Sequence, residues 1–289
     1  MAWFENGESR IYYEEDGRGD TALILPGWAG SIDEFTTIRA TLTPHFRVVA
    51  ADLPGSGRSG PQPREYTPTY YHDDARAFLG LLDDRDAAPA HLIGFSDGGE
   101  VALLMATMRP DAVCSVITWG AGGQLVAPPG ILDAFYHLID DPIPPLRDFA
   151  AYLKATYGEA NARVMTRSES DALRAIIAAG GDLSRSRAGD ITCPALLLTG
   201  EHDPFCPPAL VSALADEIPR GEFIKVDDVG HDIHTARPSW LADTVTAWLQ
   251  DHSASPPGFK TTRHSERRPS GASSAQRRTS SHRKPTSVG

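Results

Sequence analysis

The sequence predicts an α/β fold: a mostly parallel central sheet with helices on both faces and an inserted helical cap. Three observations point there. Through the first 125 residues, short apolar runs alternate with longer mixed segments, the rhythm of strands joined by crossover helices. Between about Gln124 and Asp190 that rhythm gives way to Ala-rich and Leu-rich helical patterns separated by Pro-rich turns such as PIPP at 142–145. It then resumes with two further apolar runs and an amphipathic C-terminal helix.

Taken in order, Ile11 to Glu14 reads as an edge strand followed by a Gly-rich turn at 17–19. Leu23-Ile24-Leu25 forms the next strand and stops at Pro26-Gly27, and Phe46 to Ala50 is a β-rich run ending at Asp52 and the turn-forming PGSGRSG. From Tyr70 to Leu82 the spacing predicts a helix, with Tyr70, Ala77, Phe78, Leu81 and Leu82 on one face and Asp73, Asp74 and Arg76 toward water. His91 to Phe95 is a short buried strand, Gly99 to Met108 a helix, and Val113 to Trp119 another strand. The interrupting segment carries helical patterns over Leu132–Ile139, Phe149–Tyr157 and Leu173–Ala179. Ala195–Thr199 and Phe223–Val226 complete the sheet, and a helix spans roughly Trp240–Leu249. The organisation is a core in two parts, 1–124 and 190–250, with a helical cap at 125–189 and a basic tail at 251–289.

Composition narrows the class. The chain has no apolar run long enough to cross a bilayer, and MAWFENGESR lacks the basic-then-apolar order of a signal peptide, so a cytoplasmic protein without a membrane partner is expected. Cys114, Cys193 and Cys206 are too few and too scattered for a disulfide framework or a thiolate metal site. The net charge of −11 hides two unlike parts. Residues 251–289 hold 8 Lys and Arg against Asp251 and Glu266, whereas residues 1–250 hold 19 basic and 36 acidic groups. The acidic body repels nucleic acid, so none is expected as a partner. The tail, rich in Ser, Arg, Pro and Thr, has too little apolar surface to offset the entropy of ordering and is expected to be disordered. Nothing in these features decides between a monomer and a homodimer.

The chemistry centres on GFSDGG, Gly94 to Gly99. Gly94 and Gly98 permit a sharp strand-to-helix turn at Ser96, and Gly99 lets the helix approach the sheet. A hydrophobic strand precedes this serine and a helix follows it, the context a nucleophile elbow requires. A serine hydroxyl is a poor nucleophile at neutral pH, so it needs an imidazole to take its proton and a carboxylate to orient that imidazole. LLLTGEHD puts Asp203 just past a hydrophobic run, and FIKVDDVGH puts His231 in the loop after the last strand. His234 and, beside Asp203, His202 are rival bases; Asp227 and Asp228 are rival acids; His91 reads as a strand-start or core residue. The cluster His231-Asp232-Ile233-His234 lacks a complete ligand set, so no metal and no organic cofactor are expected. An oxyanion needs two donors, and the backbone N–H groups of Asp97 and, from PGWAGS, Trp28 are the candidates. The Trp28 indole either lines the pocket or anchors its loop. Asp97 itself is unusual beside an oxyanion, and a substrate ammonium is one cation that would pair with it.

These residues resemble the α/β-hydrolase superfamily, particularly the valacyclovir hydrolase or biphenyl-hydrolase-like group. The resemblance rests on PGWAGS, DLPGSGRSG, GFSDGG, TWGA, GEHDPFCP and GHDIH and covers roughly residues 10–250. It implies Ser96 as nucleophile, Asp203 as acid and His231 as base, backbone groups of Trp28 and Asp97 as the oxyanion hole, and Asp97 as the residue that receives a substrate amino group. Pro26-Gly27 departs from the His-Gly of many relatives, which removes a side-chain interaction and keeps the backbone role. Trp119, Phe135 and Tyr136 are candidates for substrate binding, with Tyr152 and Tyr157 as further aromatic groups of the cap. The expected activity is hydrolysis of a small carboxylic ester, an amine-bearing one in the sharpest version. Carbon–carbon bond hydrolysis, lactone hydrolysis and cofactor-independent perhydrolysis use the same frame, and a noncatalytic small-ligand receptor is the alternative from another class.

Overall fold

Alternation along the strands decides which helices cover which face. The computed structural model describes residues 2–7 and 9–253, so the expected disorder of the tail falls, from residue 254 onward, outside the described residues. The strands are β1 (Ala2–Asn6), β2 (Ser9–Gly17), β3 (Thr21–Leu25), β4 (Arg47–Ala51), β5 (Ala90–Phe95), β6 (Val113–Trp119), β7 (Ala195–Gly200) and β8 (Gly221–Val226). They form one sheet in the order β1-β2-β4-β3-β5-β6-β7-β8. The pairs β1·β2 and β2·β4 are antiparallel, and every pair from β4·β3 to β7·β8 is parallel.

Helices α1 (Thr36–Leu42), α2 (Tyr70–Asp84), α3 (Asp97–Met108), α4 (Ile131–Tyr136), α5 (Arg147–Tyr157), α6 (Glu159–Ala178), α7 (Pro208–Glu217), α8 (Ile233–Ala236) and α9 (Pro238–His252) complete the described elements. Leu23 and Leu25 of β3, Val49 and Ala51 of β4, and Ala195 and Leu197 of β7 pack in the core with α2, α3 and α7. The intervening residues Ala22, Ile24, Val48, Ala50, Leu196 and Leu198 pack in a second core with α1, α8 and α9. A period of two along strands buried on both sides is what a doubly covered parallel sheet requires. Helices α4 to α6 lie between β6 and β7 in sequence and contribute Leu153, Ala162, Met165 and Ile176 to the first core.

Four differences from the sequence reading have physical causes. The edge strand is β1, not the Ile11–Glu14 segment, because the N-terminal residues fold back on β2 with Ala2 opposite Tyr13 and Trp3 edge-on to Tyr12 at 5.2 Å. Helix α6 runs 20 residues, well before Leu173, because its inward face includes Thr166, Glu169 and Ser170 and so carries no clean apolar stripe. Helices α1 and α7 are not apparent in the sequence: both are short, and α7 opens on Pro208, directly after Pro207. Asp74 does not face water; it is buried and forms two bonds with the Arg64 guanidinium, at 2.6 and 2.8 Å. Among the described residues, no helix is long and apolar enough to cross a membrane.

Candidate active site

The turn between β5 and α3 holds Ser96 at φ 51° and ψ −119°, a left-handed conformation that a residue with a Cβ adopts only under constraint. The constraint comes from its glycines. A Cβ on Gly94 would collide with the Gly98 carbonyl, and one on Gly98 would collide with the carbonyl oxygens of Leu25 and Pro26. Helix α3 can therefore start directly against the end of β3. The Ser96 amide donates to the Trp119 carbonyl at 2.9 Å, and its carbonyl accepts from Glu100 N at 3.0 Å, so the turn is tied at both ends.

His231, in the loop between β8 and α8, reaches Ser96 from above the sheet. Its Nε2 lies 3.0 Å from Ser96 Oγ, and its Nδ1 lies 2.8 Å from Asp203 Oδ2. An ionised carboxylate only accepts hydrogen bonds, so Nδ1 carries the proton and Nε2 is the acceptor for the serine hydroxyl. Asp203 follows β7 and is buried, and its Oδ1 accepts the amides of Phe205 at 2.9 Å and Cys206 at 3.0 Å. Burial works to raise the pKa of this carboxyl, yet the bond and charge of His231 and the two amides hold it below the usual carboxylate range. The imidazole stands between the Phe95 and Phe205 rings, at centroid distances of 5.0 and 5.2 Å. Gly120, at φ 68°, makes room for it: a Cβ there would lie 2.6 Å from His231 Cε1. Sequence reasoning noticed TWGA only as part of a resemblance and assigned this glycine no role.

The rival residues are engaged elsewhere. His234 is buried, accepts from the Trp119 indole at 3.2 Å and faces Glu34 at 3.5 Å. Asp227 and Asp228 are exposed, the former paired with Lys225 at 2.8 Å. His91 is buried against Ser115 at 2.8 Å. His202 is exposed; with Glu201 and Asp228 it brings three ligand atoms within 4.8 Å of one another at the surface, where Lys225 and the Asp228 amide already engage Glu201.

The loop from Pro26 to Gly30 passes directly over the elbow. A Cβ on Gly27 would lie 3.3 Å from Ser96 Cβ, so the Trp28 amide borders the serine, and the Asp97 amide opens α3, where first-turn N–H groups have no acceptor within the helix. The loop is anchored from below and above. Ala29 N donates to Ser56 Oγ at 3.0 Å, while Ala29 O accepts from the Tyr152 and Tyr157 hydroxyls at 3.0 and 2.8 Å. Gly57 N donates to Tyr157 Oη at 2.8 Å. Buried Asp52 accepts from Ile32 N and Arg58 N, both at 2.8 Å, joining the end of β4 to the same region. Tyr157 thus serves as an anchor.

Above Ser96 lies a cavity of about 610 Å³, within the range of small-molecule sites. Trp28, Phe135, Phe149 and Tyr152 form its aromatic wall, with Leu146, Leu173 and Ile177 from the inserted helices. Two expected substrate contacts are corrected. Trp119 is completely buried beneath the site and packs on Phe35 and Phe95. Tyr136 is turned away from the cavity toward Arg167 and Arg174, whose guanidinium carbons stand 5.4 and 5.2 Å from its ring. Helical spacing puts Phe135 and Tyr136 on different faces, and only the packing of α4 on α6 decides which one looks inward.

Charge in this cavity is one-sided. Five acidic residues line it, Glu34, Asp97, Glu100, Glu169 and Asp232, and among the described residues no lysine or arginine does. Asp97 is buried and accepts from the Tyr71 hydroxyl at 2.7 Å and the Tyr70 hydroxyl at 3.1 Å. Burial raises its pKa against the pull of both hydroxyls. Glu100 accepts from Gly122 N at 2.8 Å and from Gly123 N at 3.1 Å, and burial and the Asp97 charge push it up to about 7. Tyr70 is legible in the sequence only as part of an apolar helix face, and Tyr71 has no role there; a tyrosine in such a stripe carries a polar end that must find a partner.

The sequence profile of the alpha/beta hydrolase family matches residues 22–244, and the chain belongs to this family. Among characterised relatives, it is 29% identical over 202 residues to the human serine hydrolase BPHL, covering 68% of each chain. It is 28% identical over 261 residues to the pimeloyl-[acyl-carrier protein] methyl ester esterase of Pectobacterium atrosepticum, covering 83% of this chain and 98% of that one. The enol-lactonase of Burkholderia xenovorans LB400 has a similar fold, with a TM-score of 0.71 at 22% identity over 86% of this chain and all of the other.

Proposed function

We propose that the protein is a serine hydrolase that cleaves a small, amine-bearing carboxylic ester through an acyl-enzyme. The observation that carries this reading is the relay from Ser96 Oγ to His231 Nε2 at 3.0 Å and from His231 Nδ1 to Asp203 at 2.8 Å, opening on the cavity. As Ser96 attacks the ester carbonyl, its proton passes to His231 Nε2, and Asp203 stabilises the imidazolium that forms. The amides of Trp28 and Asp97 receive the oxyanion; loss of one such donor costs about 3 to 4 kcal/mol in serine hydrolases. Collapse expels the alcohol, which takes its proton from His231. Water then enters, gives a proton to the same nitrogen and attacks the acyl carbon, and the second collapse frees the carboxylic acid and restores Ser96.

The amine-bearing class is supported by charge. Five acidic residues and, among the described residues, no lysine or arginine line the cavity, and one of the five, Asp97, is next in sequence to Ser96. A substrate ammonium there would be screened less than at the surface. Purified protein assayed on L-phenylalanine methyl ester and on methyl 3-phenylpropanoate, its deamino counterpart, tests both parts. Alcohol release that depends on Ser96 and favours the amino ester is expected. Turnover retained in S96A would overturn the nucleophile, and equal kcat/KM for the two esters would overturn the amine preference.

A further inference from the structure

One carboxyl group of the cavity that the proposed relay does not use is Glu169. It sits on α6, among the inserted helices, 4% exposed, and it lines the cavity that Asp97 lines from α3. Its Oε2 is buried with no hydrogen-bond partner among the described residues. A carboxyl oxygen buried without a partner is unfavourable, so a fold that keeps Glu169 on the wall of a ligand cavity leaves this carboxyl able to take a donor that arrives from outside.

The surroundings name that donor. Asp97 already receives both tyrosine hydroxyls, from Tyr70 and Tyr71, and each of its oxygens keeps room for one more donor. The nearby cation, Arg64, is committed to Asp74 through both terminal nitrogens and to the Pro54 carbonyl at 2.8 Å; its charge acts to lower the Asp97 pKa, but among the described residues it makes no hydrogen bond to Asp97 or Glu169. Burial and the Asp97 charge push the Glu169 carboxyl well above the usual carboxylate range, a penalty that a bound cation would relieve. An alkylammonium has three N–H donors, enough to serve both carboxylates at once.

We infer that Glu169 is a second specificity-determining residue, which together with Asp97 receives the substrate ammonium across the seam between α3 and the inserted helices. This rests on the amine-bearing reading above and deepens it: the cation is held by the core and the cap together, not by the elbow alone. Discrimination then depends on a residue far from the nucleophile in sequence and outside every motif that marks the reaction.

Full-length wild type, E169Q, E169D and D97N would be compared on L-phenylalanine methyl ester and methyl 3-phenylpropanoate, with thermal melting of each. E169Q is expected to lose roughly tenfold or more in kcat/KM on the amino ester, mainly through KM, and to stay within about twofold of wild type on the deamino ester. E169D should recover part of the preference, and E169Q should melt no lower than wild type. A loss shared equally by both esters, or an unchanged amino-to-deamino ratio in E169Q, would overturn the inference. If D97N loses the ratio while E169Q keeps it, the amine reading stands and the role of Glu169 falls. A wild type with no amino preference removes both, while loss of all turnover in S96A leaves the serine mechanism untouched by either result.

Discussion

The two walls of the cavity are built by different rules. The lower wall comes from the ends of β3, β5, β6, β7 and β8, and each group of the proposed relay on it is held by at least one backbone bond or glycine contact: Ser96 through Trp119 O, Asp203 through two amides, His231 through the space left by Gly120. The upper wall comes from the inserted segment and meets the cavity with Phe135, Leu146, Phe149, Leu173 and Glu169, whose Oε2 has no hydrogen-bond partner among the described residues. Chemistry needs atoms placed within tenths of an ångström, which strand ends locked in a parallel sheet provide. Selection needs shape and charge, which side chains on helices supply with more latitude.

The comparison is broken most directly on the lower wall. S96A should reduce kcat by on the order of 10⁵ to 10⁶, and D203N by about 10⁴, because an amide in place of the carboxylate favours the wrong imidazole tautomer. Steady-state ester hydrolysis by folded variants measures both, and a D203N loss below tenfold would move the acid role elsewhere. G120A is the next step down. The added methyl would meet the imidazole at 2.6 Å, at a φ of 68° that alanine tolerates poorly, so roughly a hundredfold loss in kcat is expected with a stability loss of about 1 to 2 kcal/mol. Unchanged kcat in G120A would mean that His231 has slack the lower wall is argued not to have.

On the upper wall, F135A should leave kcat within severalfold and raise KM for aromatic esters by about tenfold, since it removes apolar contact from bound substrate without touching the relay. A fall in kcat as large as that of G120A would erase the distinction between the walls. The smallest effect is on stability. Glu100, pushed up to about 7 from an ordinary 4.5, keeps its proton when folded over a range where the unfolded chain has released it. The native state therefore binds more protons there, and stability falls as pH rises from about 4.5 to 7, with a Glu100 share of up to about 3 kcal/mol. E100Q can still accept the Gly122 and Gly123 amides but cannot ionise, so urea denaturation at the two ends of that window should give a shallower slope than wild type. An identical slope would show that the carboxyl ionises freely in the folded state.

Legibility in the sequence follows the same division. Ser96 was readable because an elbow needs glycines at fixed offsets, and Asp203 and His231 because each follows a hydrophobic run that can only be a strand. Gly120 was not, since its reason is a ring that approaches from more than a hundred residues away. Trp119 and Tyr136 were read as substrate contacts from residue type alone, and packing turned one under the sheet and the other outward. Glu169 gave no signal, because a glutamate in a polar helix looks solvated until the helix is docked.

What the sequence determined by itself is therefore local: most of the strands and helices in their order, the strained turn at Ser96, the order of Ser96, Asp203 and His231 behind their strands, and the acidic character of residues 1–250. These depend on periodicity, on glycine and proline geometry and on composition, which neighbours in the chain decide. The tertiary structure alone decided that His231 lies 3.0 Å from Ser96, that Tyr70 and Tyr71 turn their hydroxyls to Asp97, and that Glu169 faces Asp97's cavity from across the seam. Those are meetings of residues distant in sequence, and their direction is set by which helix face packs against which strand, a choice made by the whole core at once.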